Sequence, residues 1–319
     1  MIRNTILGIA AAMLAATAAI PAKAEIPCGT AKLIVPWGAG GGTDVIFRIL
    51  IEAANKHGAN PQIQVVNIGG QGGNKGAKEA VKAKPDGCTL FAIHQSALSS
   101  FLTGRVDFTW DAFEPVALMT RTPTIYGANA NVPYNSLKEL QAYAKAHPNE
   151  VLAGGTLGST SHFAMLELQD AMGVEFKHIS YDGTRERMTA LLANNIHLGE
   201  INLASAKKYI QTNELKALAI TTEERNAEIA DVPTAKEQGF DLVIGVDRGI
   251  MLPKGASQEV VDYYIDIFSK VANDPDVQAQ MTAKGSSMPF TAGADYRAYF
   301  EKTFDSWKKI AIKVGMYKG

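Results

Sequence analysis

The sequence is poor in the residues that most simply betray a function. Two cysteines cannot build a disulfide-dense scaffold, and neither has the spacing of a zinc ligand. The six histidines are scattered and form no metal pair. No sign of charge dominates: 31 Lys and Arg face 32 Asp and Glu. That balance excludes the basic surface of a nucleic-acid binder. After residue 20 no apolar run approaches the roughly 20 residues that cross a bilayer. No 20–50-residue repeat and no low-complexity linker is visible. What remains is ordinary globular composition, 46% hydrophobic and 20% charged, with enough apolar surface for a core. At roughly 100–200 residues per domain, 319 residues suggest two domains.

Residues 1–24 stand apart. They carry Arg3 and Lys23 and no acid, and Ile6 to Ile20 is apolar or small except at Thr17. Ala22-Lys23-Ala24 then offers a small-x-small cleavage site before Glu25. A positive start, a short apolar centre and a small-residue exit read as a secretory signal peptide, residues 1–24, cleaved after Ala24. The apolar centre, about 15 residues, is too short for a membrane anchor. Glu25-Ile26-Pro27 before Cys28 is not a lipid-attachment box. Cleavage turns 31 bases against 32 acids into 29 against 32, net −3. The mature protein is therefore expected in the periplasm.

Export changes how the cysteines read. Cys28 precedes a first strand (Lys32 to Val35) and Cys88 a later one (Thr89 to Ile93). In an oxidising compartment this suggests one disulfide, easy to close if the strands are parallel neighbours. Two buried free thiols are the alternative. Closing a loop of about 60 residues is worth on the order of 4 kcal/mol in the chain-entropy model.

Short apolar runs alternate with helical patterns along the chain. After the first strand, Thr43 to His57 is helical, with Val45, Ile46, Ile49 and Leu50 on one face. Ile63 to Val66, a glycine loop (Gly69 to Gly76), a helix (Lys75 to Ala83) and Leu90 to Ile93 follow. This is β-α-β-α-β, the pattern of a parallel sheet covered on both faces. A second unit repeats the scheme over roughly 128–245, opening with a capping box at Ser136 and Glu139. Leu242 to Val246 and Gly249 to Leu252 lead back, and helices over Gln258 to Ala272 and Ala294 to Val314 are expected on the first unit. The chain thus crosses twice between two lobes, near 120–130 and near 243–250. Lobe one is residues 25–127 plus 246–319, and lobe two is 128–245. Two crossings make a hinge with a cleft between the lobes.

The strongest local feature is Val35-Pro36-Trp37-Gly38-Ala39-Gly40-Gly41-Gly42-Thr43-Asp44, which joins a strand to a helix. Such a loop offers unpaired N–H groups at the positive end of a helix, which suits an anion. Asp44 can cap the helix, and Thr43 can cap it or touch ligand. A phosphate-binding P-loop is excluded, because Gly42-Thr43-Asp44 stands where Gly-Lys-Ser/Thr is needed. A dinucleotide fingerprint fails too: the sixth position from Gly38 is Thr43, and no acid lies near residue 58. A tight turn without ligand is the bland alternative.

Lobe two offers a matching loop, Gly154-Gly155-Thr156-Leu157-Gly158-Ser159-Thr160-Ser161-His162. An exported α/β hydrolase would use Ser159 or Ser161 as nucleophile with His162 as base. The segment lacks Gly-x-Ser-x-Gly, so catalysis is disfavoured. Other ligand candidates follow strands at the same sheet edges: Ser96 in lobe one, and Tyr181, Asp182 and Asn202 in lobe two. Asp182 is first of all a helix cap. Arg248 sits in the return crossing, where it can reach the cleft or stay in solvent.

These segments together resemble the solute-binding components of tripartite tricarboxylate transporters, the Bordetella uptake gene proteins. The likeness runs through Ile34-Val35-Pro36-Trp37 with Gly40 to Asp44, Lys84-Pro85-Asp86-Gly87-Cys88, Gly158-Ser159 with Ser161-His162, Tyr181-Asp182-Gly183, Val232-Pro233-Thr234 and Leu252-Pro253-Lys254-Gly255. It implies a type II periplasmic-binding fold, a Venus flytrap of two mostly parallel α/β lobes that closes on ligand. It implies a small organic acid as ligand, membrane transporter subunits as partners, a monomer, no enzyme activity and no cofactor or metal. The ligand would lie among Trp37, Ala39, Gly40, Gly41, Gly42, Thr43, Asp44, Ser159, Thr160 and Ser161. A sensory protein that docks a receptor is a rival reading. Two segments depart from the family pattern: Val246-Asp247-Arg248-Gly249-Ile250, and Asn195 to Glu200. Arg248 is thereby a candidate extra anion contact.

Overall fold

The computed structural model describes residues 25–181 and 183–318. The expected signal peptide and Asp182 lie outside the described residues. In chain order the first elements are β1 (Thr30–Val35), α1 (Gly42–Lys56), β2 (Gln62–Asn67), α2 (Asn74–Val81), β3 (Thr89–Ile93), α3 (Ser96–Leu102) and β4 (Phe113–Pro123). Next come β5 (Ile125–Asn129), α4 (Leu137–Ala146), β6 (Leu152–Gly155), α5 (Thr160–Met172), β7 (Lys177–Ser180), α6 (Thr184–Leu192), β8 (Leu198–Ile201), α7 (Leu203–Gln211) and β9 (Leu215–Ile220). The chain closes with β10 (Gly245–Pro253), α8 (Gln258–Ala272), α9 (Pro275–Ala283), β11 (Thr291–Ala292) and α10 (Gly293–Lys313).

Two sheets result. One has the order β11-β4-β10-β3-β1-β2, the other β7-β6-β8-β5-β9. β1 pairs in parallel with β2 and β3, and β6 pairs in parallel with β7 and β8. The antiparallel strands have a simple cause. β10 enters the first sheet from the second unit, and β5 enters the second sheet from the first. Each comes straight across, so each lies against the direction of its host strands. β4 stops at Pro123 and β5 starts at Ile125, so one crossing is nearly a continuous strand.

Both faces of each sheet are buried, as expected of βαβ units. On β1, Leu33 and Val35 join one apolar cluster and Ile34 the opposite one. On β3, Leu90 and Ala92 separate in the same way from Phe91 and Ile93. That is the period of two of a strand, written into what reads as an unbroken apolar run. In the second unit Tyr126 and Ile125 divide likewise between two clusters. The cysteines flank parallel neighbours, with Lys32 opposite Thr89, and they form the Cys28–Cys88 disulfide across a Cα–Cα distance of 5.9 Å.

Five elements escaped the sequence reading, the crossing strand β5 among them. β4 carries Thr120-Arg121-Thr122 mid-strand, which does not read as buried sheet. The serine-rich α3, the short α9 and β11 lack strong periodicity. The return path, expected in two pieces, is the single strand β10. α10 packs on the first unit but also reaches the second: Trp307 stacks on Phe163 of α5 with centroids 4.5 Å apart.

Candidate functional site

A cavity of about 750 Å³ opens between the two sheets, walled by both glycine loops. Trp37, Ala39, Gly40, Gly41, Gly42, Thr43, Ser159, Thr160, Ser161, Asn202 and Arg248 line it. Asp44, Ser96 and Tyr181 do not. Buried Asp44 is turned into the loop, where it accepts from the Gly40 N–H (2.8 Å), Arg48 Nε (3.0 Å) and Asn67 Nδ2 (2.8 Å). Burial alone would push its carboxyl up, but the bonds from Arg48, Gly40 and Asn67 outweigh that and hold it below the usual carboxylate range. Buried Ser96 opens α3, its N–H on His94 Nδ1 at 3.2 Å. Tyr181 meets the second loop through its backbone, donating to Gly155 O and accepting from Thr156 Oγ1.

The bracing of Asp44 leaves α1 without a side-chain cap. The N–H groups of Gly42 and Thr43, in the first turn, have no partner among the described residues. Gly40 has φ of 77°, a left-handed conformation that favours glycine, so the loop can fold back over the helix end. Trp37 closes one side, stacked on His94 at 4.9 Å.

Arg248 forms the floor. On β10, Asp247 and Arg248 point to opposite sides. Asp247 is neutralised by Arg121, which donates from Nε (2.7 Å) and Nη2 (2.6 Å), and it also accepts from the Tyr299 hydroxyl. Arg248 is 6% exposed and faces no acid within ion-pair distance among the described residues. Its Nε donates to Thr43 Oγ1 (3.0 Å), and its Nη1 to Thr122 Oγ1 (2.6 Å) and Val246 O (3.3 Å). Nη2 has no such partner and lies 3.9 Å from where a Cβ on Gly42 would stand. Burial lowers the guanidinium pKa to about 10, so it stays charged near neutrality. Beside it His94 is pushed down to about 3, by burial first and by Arg248 second, and is neutral.

The second loop is bonded up from within. Ser161 Oγ accepts from the Thr156 N–H (3.0 Å) and Arg187 Nη1 (3.3 Å) and sits 3.1 Å from Ser159 Oγ. His162 Nδ1 accepts from the Gly158 N–H at 3.1 Å. Burial, His178 and Arg105 push His162 down to about 3. Its ring therefore holds the loop and makes no hydrogen bond to either serine hydroxyl among the described residues, which removes the base from the hydrolase reading. Asn202 caps α7 through its side chain, accepting from the Ser205 N–H at 3.1 Å. Across the rim, Arg105 donates to Leu157 O (2.6 Å) and Gln71 O (3.0 Å), tying the two lobes. Thr160 Oγ1 lies 3.3 Å from His94 Nδ1.

Among the lining residues not foreseen are His94, Arg187 and Glu200. Arg187 and Glu200 form a buried ion pair, and Arg187 Nε also donates to Glu200 O at 2.7 Å. Thr184-Arg185-Glu186-Arg187 reads as a solvated face. The available signal was the spacing of Arg187 to Leu191, one helical turn on, which puts it on the buried face of α6.

Two α/β lobes, joined by strands that cross between their sheets and separated by a cleft, define a two-lobed solute-binding protein. The chain belongs to the tripartite tricarboxylate transporter family receptors, whose family profile matches residues 46–316. It is a binding receptor and not an enzyme. It is similar to the "UPF0065 protein in gbd 5'region" of Cupriavidus necator, 31% identical, over 98% of this chain and 96% of that one. Among solved structures, periplasmic binding protein BugD aligns with TM-score 0.79 and 27% identity over 91% of this chain and 99% of its own. MatC from Rhodopseudomonas palustris, solved with bound malate, aligns with TM-score 0.78 and 26% identity over 88% and 98%.

Proposed function

We propose that the protein captures a small carboxylate in the inter-lobe cleft of the periplasm and hands it to the membrane subunits of a tripartite tricarboxylate-type transporter. Residues 1–24 would be its export signal. Residues 25–127 with 246–319 would close as one lobe on 128–245 as the other. The observation that carries this reading is Arg248, a buried cation with no carboxylate within ion-pair distance among the described residues, whose Nη2 stands beside the uncapped start of α1. A buried charge without a counterion is costly, and an anionic ligand supplies the missing partner. The malate bound to MatC, a family relative, supports a carboxylate. Closure follows if the ligand binds the closed arrangement more tightly than the open one.

A thermal-shift screen over mono-, di- and tricarboxylates tests this. At least one acid is expected to raise the melting temperature in a concentration-dependent way, since ligand bound to the folded state stabilises it. The shift should vanish in Arg248→Met. No shift with any carboxylate would overturn the reading. Co-purification of the loaded protein with its transporter subunits would test delivery.

A further inference from the structure

The two ends of the cleft carry different unspent groups, and this bears on what the ligand has besides a carboxylate. At the lobe-one end the unspent groups are donors: Arg248 Nη2 and the first amides of α1. At the lobe-two end the cation is already used. Arg187 donates from Nε to Glu200 O, from Nη2 to Glu200 Oε2 and Thr184 Oγ1, and from Nη1 to Ser161 Oγ. Glu200, 4% exposed and lining the cavity, receives Arg187 on Oε2 only. Its Oε1 has no hydrogen-bond partner among the described residues. That oxygen opens on the cavity and is an acceptor a ligand donor can reach.

The serines add a direction. Ser161 Oγ accepts from Thr156 N–H and from Arg187, which fills its two acceptor positions. Its own proton then goes to Ser159 Oγ, 3.1 Å away. That leaves the Ser159 hydroxyl proton for the cavity. The lobe-two end therefore presents donors, the Ser159 hydroxyl and the first amides of the uncapped α5, and one carboxylate acceptor, Glu200. A second carboxylate there would satisfy these donors but meet Glu200 with like charge, and the buried cation beside it, Arg187, is already paired. The other charged lining residues, Arg185, Glu186 and Lys284, are exposed to solvent, where water and salt screen them.

Building on the carboxylate reading above, we infer that the preferred ligand is a monocarboxylate whose far end is a neutral group that both donates and accepts, a hydroxyl or a primary carboxamide, and that Glu200 sets this preference. The carboxylate faces Arg248. The far group donates to Glu200 Oε1 and accepts from Ser159.

The test is a matched calorimetric series on the mature protein. Dicarboxylates of three to six carbons are compared with their half-amides and with the ω-hydroxy acids of equal length. The half-amide is nearly isosteric with its diacid, so length and shape cancel in each pair. The inference expects the best binder to be a half-amide or hydroxy acid, at least about tenfold tighter than its diacid. Glu200→Gln, whose amide oxygen can still accept from Arg187, should shift the ratio toward the diacid by about tenfold or more. A diacid preferred at every length overturns the inference and leaves the carboxylate reading standing. No binding by any member overturns both. If Glu200→Gln does not fold, the wild-type series decides alone.

Discussion

The two glycine loops look alike in sequence and behave oppositely in the fold. Each runs from the end of a strand into a helix and lines the same cleft. The first, Pro36 to Asp44, is braced from behind by Asp44 and leaves its amides and Arg248 unspent toward the cavity. The second, Gly154 to His162, is held from within by Ser161, His162 and Arg187; α5 also starts without a side-chain cap, but the cation beside it is already paired. The lesson concerns the two buried arginines. Arg187 has its counterion in Glu200 and braces the fold, whereas Arg248 has no carboxylate within ion-pair distance among the described residues and is the cation proposed to meet the ligand.

Removing each arginine is the sharpest way to break that contrast. Arg187→Met leaves Glu200 buried without its cation, a change that typically costs about 3–5 kcal/mol of stability. Urea unfolding should show a large fall in midpoint without ligand. Arg248→Met should leave the ligand-free midpoint unchanged or raised, because it removes a buried charge that no carboxylate pairs directly among the described residues. Its loss appears in binding, roughly 2–5 kcal/mol or about 30- to 4,000-fold in carboxylate Kd. If Arg248→Met unfolds the protein while Arg187→Met spares it, the assignment of the two cations is reversed.

Acid sharpens the comparison next, since one buried histidine stands behind each loop. His94 and His162 are both held near 3, below the ordinary 6.5. The unfolded chain takes up a proton at each as pH falls through about 6.5, while the folded chain stays neutral there. Stability is therefore complete above that pH and is lost as pH drops toward 3, with a slope up to about 1.4 kcal/mol per pH unit for each histidine. Denaturant midpoints measured from pH 7.5 to 4.5 should fall in wild type and fall less steeply in His94→Asn and in His162→Asn. An unchanged slope in both variants would rule out the histidines as the source.

Much of this contrast was readable in the residues, but not all of it. Strand, glycine loop and helix were legible at Leu33 to Asp44 because a short apolar run, then glycines, then a 3.6-period face leave few alternatives. The disulfide was legible because the expected export and the positions of Cys28 and Cys88 agreed. The true work of Asp44 was not, since an acid in the first helical turn looks the same whether it caps its helix or turns back to Gly40 and Asn67. The Arg187–Glu200 pair was hidden because its members lie on different elements, α6 and β8, and each sits in a locally charged stretch. β4 was hidden because a crossing strand carries polar residues, here Arg121, that bond to its antiparallel partner β10. In each case the missing information was tertiary, a partner far along the chain.

The smallest expected effect separates the loops at their left-handed glycines. Gly40 (φ +77°) has open space where a Cβ would go, whereas a Cβ on Gly158 (φ +68°) would stand 2.5 Å from Arg105 Nη1 and 3.2 Å from Thr103 Oγ1. Gly40→Ala therefore carries only the backbone strain of a non-glycine residue in that region, about 1–2 kcal/mol. Gly158→Ala carries the same strain and also displaces the guanidinium that donates to Leu157 O and Gln71 O. The hydrogen bonds are solvent-exposed, so the added cost should be modest, about 0.5–1.5 kcal/mol. A double-mutant cycle isolates it: in an Arg105→Ala background the extra cost of Gly158→Ala should disappear, while the cost of Gly40→Ala should not change. Equal costs for the two glycines in wild type would show that the tie across the rim is not under load. A coupling between Arg105 and Gly40 instead would show that the two loops are one mechanical unit and not two.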